Sequence, residues 1–345
     1  MMNPFTLTFG KKPISYISRP KDSQLIIDSF NQDPASEQVY IITGIRGSGK
    51  TVMLSAITKQ FLMDDNWIVV DLNSEKDLLE GFASELYQNA KVKSLFLKKE
   101  FSFSFKGVSF SIEGETPALT SESLIKMMLE KISKKNKKVL ITIDEVTSNE
   151  YMRIFAKTIQ SLIRFDYPVF LLMTGLYENI SKLQDDKSLT FLYRAPKIYL
   201  SALNIRAIAQ SYCDVFNISS DIANDLALLT KGYAYAYQVL GFLLYQSNKY
   251  EITEMLLVEY DQYLQEFVYN KLWSELTTVE KKILCSMKAE EVSVKDIIVS
   301  ADMSSEYFSI YRDRLIKKGI LMSPSYGRLM ITLPRFLEFI KINNY

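Results

Sequence analysis

The stretch at residues 39–56 restricts the possible folds more than any other part of the sequence. A short apolar run that predicts a strand is followed by a glycine-rich loop and then by an apolar run with helical spacing. The residues that satisfy the pattern G-x-x-x-x-G-K-[ST] are Gly44, Gly49, Lys50 and Thr51. Glycines let backbone N–H groups turn inward around an anion, and the N-terminus of the following helix attracts the same negative charge. The stretch therefore predicts a loop that binds the phosphates of a nucleotide.

Each residue type in this loop has a chemical reason. Lys50 is expected to bring a positive charge to the β- and γ-phosphates, and the Thr51 hydroxyl to ligate Mg²⁺. The full set of predicted nucleotide-binding residues is Gly44, Arg46, Gly47, Ser48, Gly49, Lys50, Thr51 and Val52. A chance glycine loop is the alternative, and the complete eight-residue pattern between a strand and a helix argues against it.

A second apolar run, at residues 139–145, ends in two carboxylates. Four of its first five residues are aliphatic, which is typical of a strand buried on both faces of a parallel sheet. Asp144 stands where a carboxylate of the Mg²⁺ site is expected, and Glu145 where a base that activates water is expected. Another buried run ends at Thr174, which is predicted either to orient the attacking water or contact the γ-phosphate, or to be a plain strand-end hydroxyl.

Composition narrows the classes of function. The 345 residues are long enough for two or three domains, and a net charge of +1 predicts neither a nucleic-acid partner nor a membrane surface. The chain has no histidine, which excludes Ser-His triads, Cys-His pairs and His-ligated metals. Its two cysteines, Cys213 and Cys285, lie far apart in apolar helical patterns, which favours reduced thiols. With no apolar segment of about 20 residues, we expect a cytoplasmic protein without a membrane span.

The order of elements predicts the architecture. Apolar strands alternate with helical segments, so we expect an α/β P-loop NTPase fold with a doubly wound parallel five-stranded sheet. Residues 101–112 alternate phenylalanine with polar residues around a Lys-Gly turn and predict a β-hairpin insertion. Its phenylalanine face either packs internally or serves a partner. Residues 203–269 show only helical spacing, and 270–345 predict three helices and a hairpin. The predicted domains are thus a P-loop ATPase core at 1–202, a helical lid at 203–269 and a winged helix at 270–345.

These motifs carry a resemblance to a known family. Residues 38–260 resemble AAA+-type ATPases, particularly the prokaryotic branch similar to archaeal ATPases and Orc/Cdc6 replication initiators. The stretches that carry the resemblance are residues 44–51, 141–145, 174–175 and 232–238. By resemblance they correspond to Walker A, Walker B, sensor 1 and the lid region where sensor 2 sits.

Two departures from the family lie in the lid, and one arginine has two interpretations. Ala234 stands where the family usually has proline after the lid glycine, and no arginine follows at residues 233–242, so the cationic sensor 2 contact is missing. Arg194 stands where the family places an arginine finger, which would imply a homo-oligomer. A structural salt bridge is the alternative role for Arg194.

The C-terminal segment resembles the winged-helix domain that such ATPases carry. In such folds the third helix enters the major groove of DNA. The residues predicted to face DNA on this helix and the wing are Tyr307, Ser309, Tyr311, Arg312, Arg314, Lys317, Lys318 and Arg328. Nearby acidic residues dilute the positive charge, so a winged helix that contacts protein is the competing interpretation.

Together these features predict an ATP-binding, Mg²⁺-dependent ATPase, slow when alone, that converts ATP and water to ADP and phosphate. Its nucleotide state is expected to control binding to double-stranded DNA or assembly on a partner. The alternative is a signalling switch that holds ATP or ADP, hydrolyses little, and binds protein through the winged helix and the hairpin.

Overall fold

The computed structural model describes residues 2–8, 13–96, 104–105, 108–109, 120–186 and 189–343. The chain divides into two compact units. We call Pro20–Thr43 together with Met53–Ile198 the sheet unit, and Met1–Arg19, Gly44–Val52 and Tyr199–Tyr345 the helical unit. The phosphate loop thus belongs to the helical unit, and Asp144 and Glu145 belong to the sheet unit.

From residue 20 to residue 199 the chain alternates helices and strands, as the sequence predicts. The elements are α1 (Pro20–Asn31), β1 (Val39–Thr43), α2 (Lys50–Leu62), β2 (Trp67–Asn73), α3 (Leu78–Gln88), α4 (Ala90–Phe96), β3 (Ser104–Phe105), β4 (Val108–Ser109), α5 (Ser121–Ser133), β5 (Lys138–Asp144), α6 (Glu150–Arg164), β6 (Val169–Gly175), α7 (Tyr177–Gln184), α8 (Thr190–Arg194) and β7 (Lys197–Tyr199).

Five of these strands form one sheet in the order β2-β5-β6-β1-β7, with parallel pairing of β2 with β5, β5 with β6 and β6 with β1. Every residue of β1 and β6 is buried, as are the five central residues of β5. Near-continuous aliphatic sequence is what a strand covered on both faces requires. The predicted α/β P-loop NTPase fold with a five-stranded parallel sheet is confirmed.

The register of this sheet aligns the ends of its strands. Thr43, the last residue of β1, pairs with Gly175 at the end of β6, and Ile143 of β5 pairs with Met173 of β6. The parallel strands therefore end together at one edge of the sheet. Asp144, the last residue of β5, and Thr43, which precedes the phosphate loop, both lie at this edge. Ligands bind at this edge in open α/β sheets.

The segment predicted as a hairpin contains a short antiparallel pair. Ser104 pairs with Ser109 and Phe105 with Val108, which joins β3 to β4. The Lys-Gly turn and the other phenylalanines of the predicted face lie outside the described residues.

From residue 205 onward the chain is mainly helical. Its elements are α9 (Ile205–Phe216), α10 (Ser220–Leu229), α11 (Ala234–Ser247), α12 (Glu254–Leu264), a π-helical turn (Gln265–Tyr269), α13 (Asn270–Ser274), α14 (Thr278–Cys285), β8 (Glu291–Ser293), α15 (Val294–Ser300), α16 (Ser305–Lys317), β9 (Leu321–Met322), β10 (Arg328–Ile331) and α17 (Phe336–Ile342). The short strands form an antiparallel sheet in the order β8-β10-β9.

One apolar core runs through the helical unit, from Phe5 through the helices of residues 205–273 to Ile340 in α17. Four buried tyrosines, among them Tyr260 and Tyr269, rank with the largest side chains in it. Within the described residues, no helix is both long and apolar enough to cross a membrane.

Candidate functional site

The backbone of the phosphate loop takes conformations that need glycine. Gly47 has a φ of 75° and Gly49 a φ of 93°, a region that side chains rarely adopt. A Cβ atom on Gly47 would also lie 2.2 Å from the Tyr233 hydroxyl oxygen. The backbone conformation and the neighbouring Tyr233 side chain therefore each restrict position 47 to glycine.

Lys50 and Ser48 place polar groups inside this loop. Lys50 is buried, and its Nζ donates to the carbonyl oxygens of Gly44 and Ile45, both at 3.0 Å. These bonds hold the ammonium group against the loop at the first residue of α2. The Ser48 Oγ is buried and makes no hydrogen bond within the described residues. Buried hydroxyls normally have a partner, so this one suits a ligand oxygen.

Three successive carbonyl groups of the loop are bound from outside it. The Tyr233 hydroxyl donates to the Arg46 carbonyl at 2.5 Å, and the Tyr235 N–H donates to the Gly47 carbonyl at 3.1 Å. An Arg19 Nη donates to the Ser48 carbonyl at 3.1 Å and to the Ser201 carbonyl at 2.9 Å. The sequence analysis did not identify Arg19 or Tyr233, because neither belongs to the phosphate-loop pattern.

Two side chains of the loop contact the C-terminal part of the helical unit. The Arg46 guanidinium lies 3.3 Å from the Glu275 carboxylate, which follows α13. Gly319, which follows α16, is so close to Ile45 that an added Cβ would lie 3.6 Å from the Ile45 Cβ. Two of the four variable positions of the motif, 45 and 46, thus lie next to the C-terminal segment.

In the sheet unit, Asp144, predicted as a Mg²⁺ ligand, is connected by hydrogen bonds to Glu145 and Thr174, two of the predicted catalytic residues. The Thr174 hydroxyl donates to Asp144 Oδ1 at 2.5 Å and accepts the Glu145 N–H at 3.0 Å. The Ser74 hydroxyl donates to the Glu145 carbonyl at 3.1 Å. Glu145 itself has a φ of 51°, in the left-handed region. Two hydroxyls therefore fix the peptide groups on both sides of Glu145.

Among the described residues, no group of three or more His, Cys, Asp and Glu side chains could hold a metal ion. Arg194, the predicted arginine finger, ends α8 with an exposed side chain. No ion pair of the described residues includes Arg194.

The residues predicted to face DNA lie on α16 and β10, but their basic groups differ in surroundings. Arg312 pairs with Asp313 at 2.8 Å, and Arg328 pairs with Glu291. Arg314 and Lys317 are exposed. Tyr307 and Tyr311 contact each other with ring centroids 5.0 Å apart, and Arg314 lies over the Tyr311 ring; Ser309 donates to the Ser305 carbonyl.

Lys318 does not fit its predicted place in a DNA-binding face. Its Nζ lies 2.8 Å from Glu280 Oε1, and the two side chains are only 10% and 1% exposed. Glu280 is also the third residue of α14, where it completes a capping box with Thr277. The pair is therefore part of the interior of the C-terminal segment. We correct the assignment of Lys318 accordingly.

Two parts of the chain match known protein families. A family model described as "AAA domain" matches residues 33–183, which include the phosphate loop, the acidic strand end and Thr174. These residues are therefore similar to AAA domains. A second model, described as "Domain of unknown function (DUF8462)", matches residues 266–340. A search of curated proteins found no sequence that matches the chain.

Several solved structures share the fold of this chain. A Walker-type ATPase of Pyrococcus abyssi superposes with a TM-score of 0.68 at 12% identity, over 98% of this chain and 99% of its own. The ORC2 protein of Aeropyrum pernix, in ADPNP–ADP complexes, gives 0.59 at 11% identity, over 97% and 96%. Cdc6p of Pyrobaculum aerophilum gives 0.50 at 14% identity, over 98% and 96%. At these identities the likeness establishes the fold alone. Together with the AAA family match, it confirms the predicted resemblance of residues 38–260 to AAA+-type ATPases.

Proposed function

We propose that the chain binds ATP with Mg²⁺ at the phosphate loop, hydrolyses it, and uses the nucleotide state to control binding of double-stranded DNA by the C-terminal segment. The observation that carries this proposal is the dual contact of the loop. Its glycines and Lys50 have a geometry that suits phosphates, while Arg46 pairs with Glu275 and Ile45 lies close to Gly319.

The binding step uses groups of the loop itself. Positive φ values at Gly47 and Gly49 suit a concave run of N–H groups, which is a common anion site. Lys50 supplies the cation, and the buried Ser48 hydroxyl is a further donor for a phosphate oxygen. The AAA family match and the nucleotide complexes of the Aeropyrum pernix relative support ATP as the ligand.

The donor set of the chain fits Mg²⁺. Thr51 offers a hydroxyl and Asp144 a carboxylate, and Mg²⁺ is usually held by one or two carboxylates together with substrate phosphates and water. When bound, the ion neutralises charge on the phosphates.

The hydrolytic step assigns Glu145 as the base that takes a proton from the attacking water. Its backbone is held by the hydroxyls of Ser74 and Thr174, which fixes the position from which its side chain leaves the strand end. Thr174 also donates to the Asp144 carboxylate, so one hydroxyl connects Asp144 with the backbone of Glu145. A contact between Thr174 and the γ-phosphate belongs to the same proposal.

The coupling step rests on the contacts of residues 45 and 46. A phosphate that draws Lys50 away from the Gly44 and Ile45 carbonyls changes the part of the loop that contacts Gly319 and Glu275. After residue 275 the chain forms the four helices α14 to α17 and the small antiparallel sheet. We interpret α14, α15 and α16 with this sheet as a winged helix.

The proposal is tested by ATP turnover with and without duplex DNA, and by the salt dependence of DNA binding with ATP present. We expect DNA to change turnover, and Lys50→Ala to abolish tight ATP binding while the protein stays folded. The double variant Arg314→Ala/Lys317→Ala removes two exposed cations of α16. It should make the negative slope of log K against log salt shallower by about two units. The control Arg206→Ala/Lys249→Ala removes two exposed cations from elsewhere in the helical unit and should leave the slope nearly unchanged.

A second candidate is a slow nucleotide switch that binds a protein. The exposed apolar side chains of the C-terminal segment favour it, because Tyr307, Ile310 and Tyr326 are 45%, 52% and 105% exposed. In addition, Arg312 and Arg328 already pair with carboxylates. Absence of DNA binding at low salt, with tight ATP binding and slow turnover, would favour this candidate over the first.

A further inference from the structure

We infer that Tyr233 is a positioning residue that holds the phosphate loop in its anion-binding conformation from the outside. The inference rests on the proposed binding of ATP. The motif residues account for the inner surface of the loop, but nothing in the motif explains why its outer carbonyls keep their directions. In this chain the Arg46 carbonyl accepts the Tyr233 hydroxyl at 2.5 Å.

Peptide planarity carries this effect to the inner surface. Because the carbonyl of one residue and the N–H of the next lie in a single rigid plane and point in opposite directions, fixing one fixes the other. The bond to the Arg46 carbonyl therefore sets the direction of the Gly47 N–H. The Tyr235 N–H, bound to the Gly47 carbonyl, sets that of the Ser48 N–H in the same way, and in this structure the Ser48 N–H donates to the Ile45 carbonyl at 3.2 Å.

Two features make Tyr233 and the start of α11 firm supports. Burial of Tyr233 raises the pKa of its hydroxyl, so the group keeps its proton and remains a donor. Tyr233 is also the N-cap of α11, but its side chain makes no capping bond to that helix. The Gly47 carbonyl accepts one of the N–H groups that a helix N-terminus leaves unpaired. The Tyr235 N–H of α11 and the Gly47 carbonyl of the loop thus satisfy each other's need for a hydrogen-bond partner.

Positions 47 and 233 are matched sterically as well. A Cβ on residue 47 would overlap the hydroxyl oxygen of Tyr233 at 2.2 Å and its ring carbon Cζ at 2.9 Å. The tyrosine therefore occupies space that only glycine leaves open. This contact comes from the lid, in which the sequence lacks a sensor 2 arginine.

The test compares Tyr233→Phe with Tyr269→Phe. The Tyr269 hydroxyl is also buried and donates to a backbone carbonyl, that of Pro334, at 2.5 Å, so the control removes an equivalent bond away from the loop. We expect both variants to lose similar thermal stability. Only Tyr233→Phe should weaken binding of ATP, by roughly 5–10-fold, the equivalent of one hydrogen bond. Inorganic tripolyphosphate has the phosphates of ATP without its nucleoside. Measured as a competitor of ATP, it should also bind Tyr233→Phe more weakly than wild type, by the same factor.

A double-mutant comparison tests the mechanism. In a Gly47→Ala background the added methyl already displaces the hydroxyl, and Tyr233→Phe removes the oxygen that it overlaps, so Tyr233→Phe should leave affinity unchanged or raise it there. Equal affinity of Tyr233→Phe and wild type would overturn the inference, as would an equal loss in Tyr269→Phe or additive effects in the double mutant. Failure of wild type itself to bind ATP would overturn the proposed function, and the inference with it.

Discussion

Glu145 has a backbone conformation that few glutamates adopt. Its φ of 51° lies in the left-handed region, which is sterically unfavourable for residues with a Cβ. Two hydrogen bonds offset part of that strain: the Glu145 N–H donates to the Thr174 hydroxyl, and the Ser74 hydroxyl donates to the Glu145 carbonyl. Residues held this way cluster at functional sites, where the surroundings determine the conformation. The strain therefore agrees with a role for Glu145 in which side-chain direction matters.

We expect Glu145→Gln to keep ATP binding and slow turnover by about 10² or more, the usual contribution of a general base. The amide preserves size and backbone preference but cannot take a proton. Glu75→Gln is the matched control, because that exposed carboxylate accepts the Thr147 hydroxyl close to the same strand ends. ATP affinity and single-turnover hydrolysis should be measured for both. Turnover of Glu145→Gln within a few-fold of wild type would remove Glu145 from the base role.

At the same scale, the limits of sequence reasoning have a physical origin. Gly44, Gly49 and Lys50 are identifiable because phosphate chemistry fixes both their type and their spacing. Asp144 is identifiable because it ends an apolar run that predicts a buried strand. Tyr233 contacts the loop across 187 positions of the chain, and nothing local to residue 233 signals that contact. Lys318 was misassigned because sequence shows that a lysine follows α16 but not that Glu280 is buried beside it.

At the scale of elements, burial decides how much the sequence reveals. Strands β1, β5 and β6 are covered on both faces, so their aliphatic runs were recognisable. Strand β8 has only three residues, none of them buried, and leaves no periodic pattern. Helix α17 was also missed, although its four buried residues, Phe336, Leu337, Phe339 and Ile340, have helical spacing.

The ion pair of Glu280 and Lys318 joins α14 to the end of α16, and we expect it to matter for stability. Lys318→Met should lower the free energy of unfolding by about 3–5 kcal/mol, because it leaves a buried carboxylate without its cation. The double variant Glu280→Gln/Lys318→Met should recover much of this loss. Lys317→Met, at the exposed neighbouring position, should change stability by about 0.5 kcal/mol or less.

Urea unfolding followed by tryptophan fluorescence measures these differences, since Trp273 belongs to the same core. A small loss in Lys318→Met, similar to that of Lys317→Met, would contradict a buried pair and reopen a surface role for Lys318.

At the scale of the whole molecule, the open question is whether one chain is a complete ATPase. The AAA family match at residues 33–183 and the C-terminal family match at 266–340 leave Arg194 outside both. Arg194 is exposed, and no ion pair among the described residues holds it, so the salt-bridge interpretation has no support there. An exposed arginine next to a nucleotide domain can act on the γ-phosphate of another copy.

This interpretation predicts that specific turnover of wild type rises with protein concentration and that Arg194→Ala loses the rise. Lys197→Ala, which removes a cation three residues further along the chain, is the matched control and should keep it. The decisive measurement mixes two inactive proteins, Glu145→Gln and Arg194→Ala. If Arg194 acts in trans, a mixed pair contains one interface with an intact Glu145 and an intact Arg194, and up to a quarter or so of the activity should return. If the mixture stays inactive while wild type self-associates, Arg194 does not act as a finger between copies.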